Sequence, residues 1–393
     1  MKTKVSIVKI ENGDIGTAVR QAVELAGGIE ENHENSKPIL IKPNALTSKK
    51  TWEAQLAVTT HPEVIRALIR LLKEKGHEIV VGDSSGGGTN TQVVMHKAGF
   101  KKLEEEENVP VVSLTSEAEK VYIENHEKLS DVALAGLALT SDIINVPKMK
   151  THALTRVTLA IKNLFGCVVG MEKKRVHGVS NTAKSFSQCL VDIYSVLKDN
   201  IMMNVLDATI AMEGFGPSDG TPKEMNLIMA SKDAVALDSI ATMVMGEKSL
   251  SVHTTKNAMQ RGLGVAKLEE IEIVGEKIED VKSKFSIPLR VISWLPIGKF
   301  WVLRAKQPKY VGEGCKACLK CQQVCPASAI VVDKENKEPV FDYTKCISCL
   351  CCYELCPEHA IYMGHMKYGK VIAGIITLVT ISIITGVLLA IFL

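Results

Sequence analysis

Two cysteine runs constrain this chain more than any other feature. They read Cys315, Cys318, Cys321, Cys325-Pro326 and Cys346, Cys349, Cys352, Cys356-Pro357, each with the spacing C-x2-C-x2-C-x3-C-P. Three thiolates so close together can wrap three corners of one [4Fe–4S] cube, and the fourth, beside proline, turns away to hold another cube. The spacing therefore predicts one cluster on Cys315, Cys318, Cys321 and Cys356 and a second on Cys346, Cys349, Cys352 and Cys325. Structural zinc sites typically draw on separated cysteine pairs. Disulfide frameworks belong to short secreted domains rather than to the end of a chain of 393 residues. Cys351, between two ligands, is expected to hold no metal.

The length allows two or three domains. A formal net charge of +3 is too small to imply nucleic acid as a partner. Basic residues are nevertheless uneven: Lys282, Lys284, Arg290, Lys299, Arg304, Lys306 and Lys309 fall within 281–310, where no acid occurs. That stretch also carries Trp294 and Trp301. It suits a membrane interface, or a linker packed on the preceding domain with its basic side chains solvated.

The N-terminus has no apolar run of the kind a secretory signal needs, and cluster assembly needs reduced thiols, so the bulk of the chain is expected in the cytoplasm. Val371 to Leu393 is 23 residues without a charge. As a helix it would be about 34 Å long, enough to span a bilayer core. Lys367 and Lys370 stand just before it and place that end in the cytoplasm. The expectation is a single-pass C-terminal anchor in the cell membrane.

Upstream of residue 284 short apolar runs alternate with amphipathic stretches. Strands are predicted at Val5–Ile10, Pro38–Lys42, Glu78–Asp83, Pro110–Leu114, Asp142–Val146, Met203–Asp207, Met225–Ala230 and Glu270–Val274. Helices are predicted at Ile15–Ala26, Pro62–Lys75, Thr91–Ala98, Thr158–Leu164, Ala183–Leu197 and Ala234–Met245. Thr60 is the expected cap of the second helix, Ser84 or Thr89 of the third, and Asp233 of the last. This alternation argues for an α/β fold with a mostly parallel sheet over 1–284. A basic linker over 285–310, a small α+β cluster domain over 311–365 and the transmembrane helix over 371–393 complete the expected order.

Ligands of open α/β sheets bind at the carboxyl ends of strands, and three such places stand out. Lys42 and Asn44 follow the second strand. Ser84, Gly86, Gly87 and Gly88 form a glycine-rich turn that could cradle an anion or could be a plain capped turn. The segment Asn145 to His152 puts Lys148, Lys150 and His152 on one face if extended, followed by Lys162, Lys173, Lys174 and His177. Such a density of cations points to an anionic small-molecule substrate held by charge-assisted hydrogen bonds. We take Lys148, Lys150, His152 and Lys162 as candidate catalytic residues and Lys42, Asn44, Ser84, Gly86–Gly88, His177 and Glu213 as candidate binding residues. His152, His177, Asp207 and Glu213 could meet at a metal, but no local ligand spacing supports one. Cys167 and Cys189 read as core thiols. Neither G-x-G-x-x-G nor G-x-x-x-x-G-K-[ST] occurs.

These segments resemble the domain-of-unknown-function family 362, which is often fused to a two-cluster ferredoxin. The resemblance rests on Lys42-Pro-Asn44, Thr60-His-Pro62, Gly82-Asp-Ser84, Val146 to His152, Val157 to Gly166, Met212 to Gly220 and the D-x-x-A-L-D run from Asp233 to Asp238. It implies similarity to iron–sulfur proteins of anaerobic bacteria and archaea. Cysteines, cations and apolar tail together lead us to expect a membrane-anchored protein with two [4Fe–4S] clusters. It would relay electrons between a redox partner protein or quinone and an anionic substrate. The alternatives are an electron carrier whose α/β domain is a scaffold, and a non-redox enzyme with redox-sensing clusters.

Overall fold

The apolar runs upstream of Gly275 become strands. The computed structural model describes residues 2–31, 37–48, 51–86, 90–115, 117–180, 182–287, 307–346, 349, 351–354, 356–358 and 360–364. They fall into two units, Met1–Pro288 and Leu289–Leu393. The first contains β1 (Thr3–Lys9), β2 (Ile39–Lys42), β3 (Ile79–Asp83), β4 (Val111–Ser113), β5 (Ala118–Tyr122), β6 (Asp131–Ala135), β7 (Asp142–Asn145), β8 (Lys148–His152), β9 (Arg156–Thr158), β10 (Ile201–Glu213), β11 (Thr221–Ser231) and β12 (Ile271–Gly275).

Eight of these form one row in the order β12-β1-β11-β10-β7-β2-β3-β4. They are the eight predicted strands. From β4 to β10 every neighbour is parallel; β11 runs against both β10 and β1, and β1 lies parallel to β12. The mostly parallel α/β fold is therefore present. β8 pairs with β10 and carries β9 outside the row, and β5–β6 is a separate hairpin. Leu40 packs into the core on one side of the sheet, while Ile39 and Ile41 pack into the core on the other. Helices cover both faces, as a parallel sheet requires.

Helix Pro62–Glu74 illustrates the packing. It buries Val64, Ile65, Leu68, Ile69, Leu71 and Leu72, each contributing about 1.5–3 kcal/mol of gross burial. His61, not Thr60, caps it, its Nδ1 accepting from Glu63 N at 3.1 Å. Thr60 Oγ1 is occupied elsewhere: it donates to Val146 O and accepts from Asn44 N, both at 2.8 Å. Helix Thr91–Lys97 is capped by Asn90 rather than Ser84, which is held elsewhere; Thr89 lies outside the described residues. Asp233 caps helix Ala234–Val244 as expected. The helix predicted at Thr158–Leu164 begins only at Ala160, because the buried Asp238 carboxylate accepts from Ala160 N and Ile161 N and sets its first turn there.

In the second unit β13 (Gln307–Tyr310) pairs antiparallel with β16 (Ile361–Gly364), and β14 (Ile330–Asp333) with β15 (Glu338–Phe341). Short helices Lys320–Val324 and Cys351–Glu354 carry cysteines. β13 lies inside the expected linker, so that stretch ends by joining the cysteine-rich sheet. Trp294, Trp301 and the apolar tail Val371–Leu393 lie outside the described residues. Among the described residues no helix is long and apolar enough to cross a membrane.

Candidate functional site

Lys42, Asp83 and Asn145 are the last residues of three adjacent parallel strands, so their side chains gather at one edge of the sheet. Lys42 Nζ donates to Asp83 Oδ1 at 2.6 Å and to Pro43 O at 2.8 Å. The second carboxylate oxygen accepts from Ala45 N at 2.6 Å. The pair is almost fully buried, and the backbone at Gly166 lies against it so closely that a Cβ there would strike both Asp83 Oδ1 and Lys42 Nζ.

The turn after β3 is clamped from below. Lys173, buried on helix Glu172–Val179, donates to Ser84 O at 2.5 Å, Ser84 Oγ at 3.0 Å and Ser85 O at 2.9 Å. An ammonium has three N–H groups, and here all three have an acceptor. Burial pulls Lys173 down to about 8, against the attraction of the Asp83 carboxylate. Gly86 N donates to Leu46 O. Gly87 and Gly88 lie outside the described residues.

Lys150, fully buried in β8, donates to Asn44 Oδ1 at 2.8 Å and to Val58 O at 2.9 Å. Asn44 Nδ2 in turn donates to Asn163 Oδ1 at 2.8 Å. Lys162, the neighbour of Asn163, places its Nζ 5.9 Å from the Phe165 ring centre and 6.0 Å from that of Phe186. His177 stacks on Phe186 at 4.3 Å, and its buried Nδ1 has no hydrogen-bond partner among the described residues. His152 Nδ1 accepts from Leu154 N at 2.9 Å, which fixes the proton of its neutral ring on Nε2. Burial drives His152 well below the usual imidazole range, with the Lys162 and Lys150 ammoniums pushing the same way. Burial and Lys162 bring His177 to about 3. Both imidazoles are neutral acceptors or donors at neutral pH, set among lysines.

Not every expected residue joins this group. Lys148 belongs to a separate buried pair with Asp207 at 2.8 Å. Asp207 also accepts from His61 N, Thr209 N and Thr209 Oγ1. Burial works against its charge, yet Lys148 and these donors hold it below the usual carboxylate range. Glu213 pairs with Lys223 at 3.0 Å and accepts from Ser286 N; the lysine group makes no bond to it among the described residues. Among the described residues His152, His177, Asp207 and Glu213 form no metal-binding group. Cys167 and Cys189 are buried and their thiols are pushed up to about 11 and about 12. Sequence reasoning passed over Asp83, Gly166 and Asn204 as site-forming residues; the signal for the first and last was a polar residue closing or interrupting an apolar strand.

In the second unit one cavity is lined by Cys315, Cys318, Cys321 and Cys356, with Val332 and Pro339 of the β14–β15 hairpin on its wall. The donor set is four thiols drawn from both cysteine runs. Burial pushes Cys321 up to about 11, and the nearby thiols of Cys356, Cys318 and Cys315 act in the same direction. Cys352 is raised by burial and by Cys349, Cys346 and Cys325. Soft thiolate donors in two such groups fit iron–sulfur clusters.

A family model described as "Domain of unknown function (DUF362)" matches residues 39–243, and a "4Fe-4S dicluster domain" model matches 307–357. A thylakoid-associated protein of Synechocystis sp. is 27% identical over 315 residues, spanning 77% of this chain and 95% of that protein. The dicluster match assigns iron–sulfur cluster binding to the cysteine-rich unit.

Proposed function

Because this chain belongs to the DUF362 family and carries a 4Fe-4S dicluster domain, we propose that it is a membrane-anchored iron–sulfur oxidoreductase acting on an anionic substrate. Cys315, Cys318, Cys321 and Cys356 hold one [4Fe–4S] cluster in this reading, and Cys346, Cys349, Cys352 and Cys325 the other. When bound, such clusters supply single-electron transfer. The substrate binds near Asn44, Lys150 and Lys162.

The observation that carries the substrate half is the gathering of Lys42, Lys150, Lys162 and Lys173 with two neutral histidines at one strand-end edge. Asp83 holds the Lys42 ammonium in place. Lys173 holds the glycine-rich turn, and Phe165 and Phe186 hold Lys162. Cations fixed before a ligand arrives lose little freedom on binding it, which favours a negatively charged group over a neutral one. His152 carries its proton on Nε2, because Nδ1 accepts from Leu154 N. The membrane half draws on the uncharged run Val371–Leu393 with Lys367 and Lys370 before it, and on the thylakoid association in the relative's name. The redox partner on this reading is a protein or a quinone at the cytoplasmic membrane face.

The test is to reduce the full chain with dithionite, add anionic metabolites or quinones one at a time, and follow reoxidation at about 400 nm, where such clusters absorb. An anionic compound that reoxidises wild type but not Lys150→Met or Lys162→Met is the expected result. Reoxidation by quinones alone, unaffected by either substitution, would instead establish an electron carrier.

A further inference from the structure

The asparagines behind Lys150 form one continuous line. Asn44 accepts from Lys150 and donates to Asn163 Oδ1; Asn163 Nδ2 donates to Asn145 Oδ1 at 2.8 Å; Asn145 Nδ2 donates to Asn204 Oδ1 at 2.8 Å; and Asn204 Nδ2 ends on Ser231 O at 3.1 Å. The far half follows a single row of the sheet, for Lys42 is the register partner of Asn145, Asn145 of Asn204, and Asn204 of Ser231. All four asparagines are buried.

No amide in this line can turn round. Asn44 must offer oxygen to the Lys150 ammonium, which only donates. Asn163 Nδ2 also faces Lys42 O and Pro43 O, Asn145 Nδ2 faces Ala160 O, and Asn204 Nδ2 faces Ser231 O and Lys232 O. Carbonyl oxygens only accept, so each NH2 group is pinned. Every side-chain dipole therefore points its oxygen toward Lys150. Aligned hydrogen bonds polarise one another in a low-dielectric interior, so the far links strengthen the acceptor that Asn44 presents.

We infer that Asn145 and Asn204 are positioning residues, completing a one-way amide chain that holds Lys150 as an ammonium beside the proposed anion site. The inference rests on the anion-site reading above and assigns Lys150 the part of a fixed cation rather than of a neutral base or nucleophile. The titratable groups of this region are the Lys162 ammonium, the neutral imidazoles of His152 and His177, the Lys42–Asp83 pair and Lys173, with the Lys148–Asp207 pair two residues back along β8.

Sulfate is the probe, because it keeps two charges across the pH range and only the protein titrates. Sulfate affinity of the full chain is measured by calorimetry from pH 6 to 11, with thermal melting to confirm folding. A Lys173→Met background removes the other ammonium, which burial pulls down to about 8. In that background affinity should fall at alkaline pH through a step that disappears in Lys150→Met. Asn145→Ala should lower the midpoint of that step by roughly half a unit to one unit, and Asn204→Ala, one link further away, by less. If Asn145→Ala does not fold, Asn204→Ala carries the test alone. Variants that melt earlier but keep that midpoint unchanged would overturn the amide chain. Sulfate affinity indifferent to Lys150→Met would overturn the anion site itself, a different outcome.

Discussion

Lys42 and Asp83, on neighbouring parallel strands, meet at 2.6 Å in an ion pair closed over by the backbone of Gly166. Nothing larger than hydrogen fits at position 166. Both partners are pinned by further bonds, Lys42 to Pro43 O and Asp83 to Ala45 N and Ser84 N, so the pair cannot retreat.

Gly166→Ala should therefore destabilise the α/β unit by about 1–3 kcal/mol, the usual cost of overpacking. Denaturant unfolding measures it. A variant as stable as wild type would mean that the pair yields.

Asp207→Asn leaves Lys148 charged and buried without its carboxylate, a loss of about 3–5 kcal/mol for a broken buried pair. The pH dependence has a definite sign. The folded carboxyl lies below its unfolded value of about 3.9, so its stabilisation is complete above that value and fades as pH falls toward the folded one. Unfolding free energies of wild type between pH 5 and pH 3 should fall more steeply than those of the variant.

Asp238 behaves in the opposite way. Burial raises it to about 7, and the two backbone donors that it accepts from only partly oppose this. Its folded value exceeds the unfolded one, so the native state holds the proton more tightly and wild-type stability declines from about pH 4 to about pH 7. Asp238→Asn should flatten that decline. Parallel slopes in the two proteins would refute the assignment.

Cys318→Ser should remove about half of the bound iron and of the absorbance near 400 nm, because it removes one ligand of one cluster. Cys351→Ser should leave both unchanged. Iron analysis of protein purified without oxygen decides the matter, and a loss of iron in Cys351→Ser would mean that the ligand sets are wrong.

The inner strands β2, β3 and β7 were legible because each is a short apolar run largely buried on both faces, and such a run needs no knowledge of its partners. The hairpin β5–β6 was missed: Ala118–Tyr122 is mostly exposed and shows no apolar alternation. Helix Glu172–Val179 was not predicted, because Lys173, Lys174 and Arg175 break any apolar periodicity at its start, although Lys173 points inward to Ser84 and Ser85. Lys42 and Asn44 were recognisable as polar residues at a strand end, Lys150 by its period-two spacing with Lys148 and His152, and Lys162 as one of the cations that follow. Their partners were not, since Asn44 meets Asn163 and Lys150 across more than a hundred residues of chain. Lys148 and Lys150 have the same spacing signal but different companions, and only the fold separates them.

The pairing of β13 with β16 sets Gln307 opposite Gly364. The described part of the cysteine-rich unit thus begins and ends on two adjacent strands, about 5 Å apart. A module closed in this way behaves like a cassette with both leads soldered to one terminal. It can be spliced into a chain, or tethered by either lead, without parting its own cysteine runs.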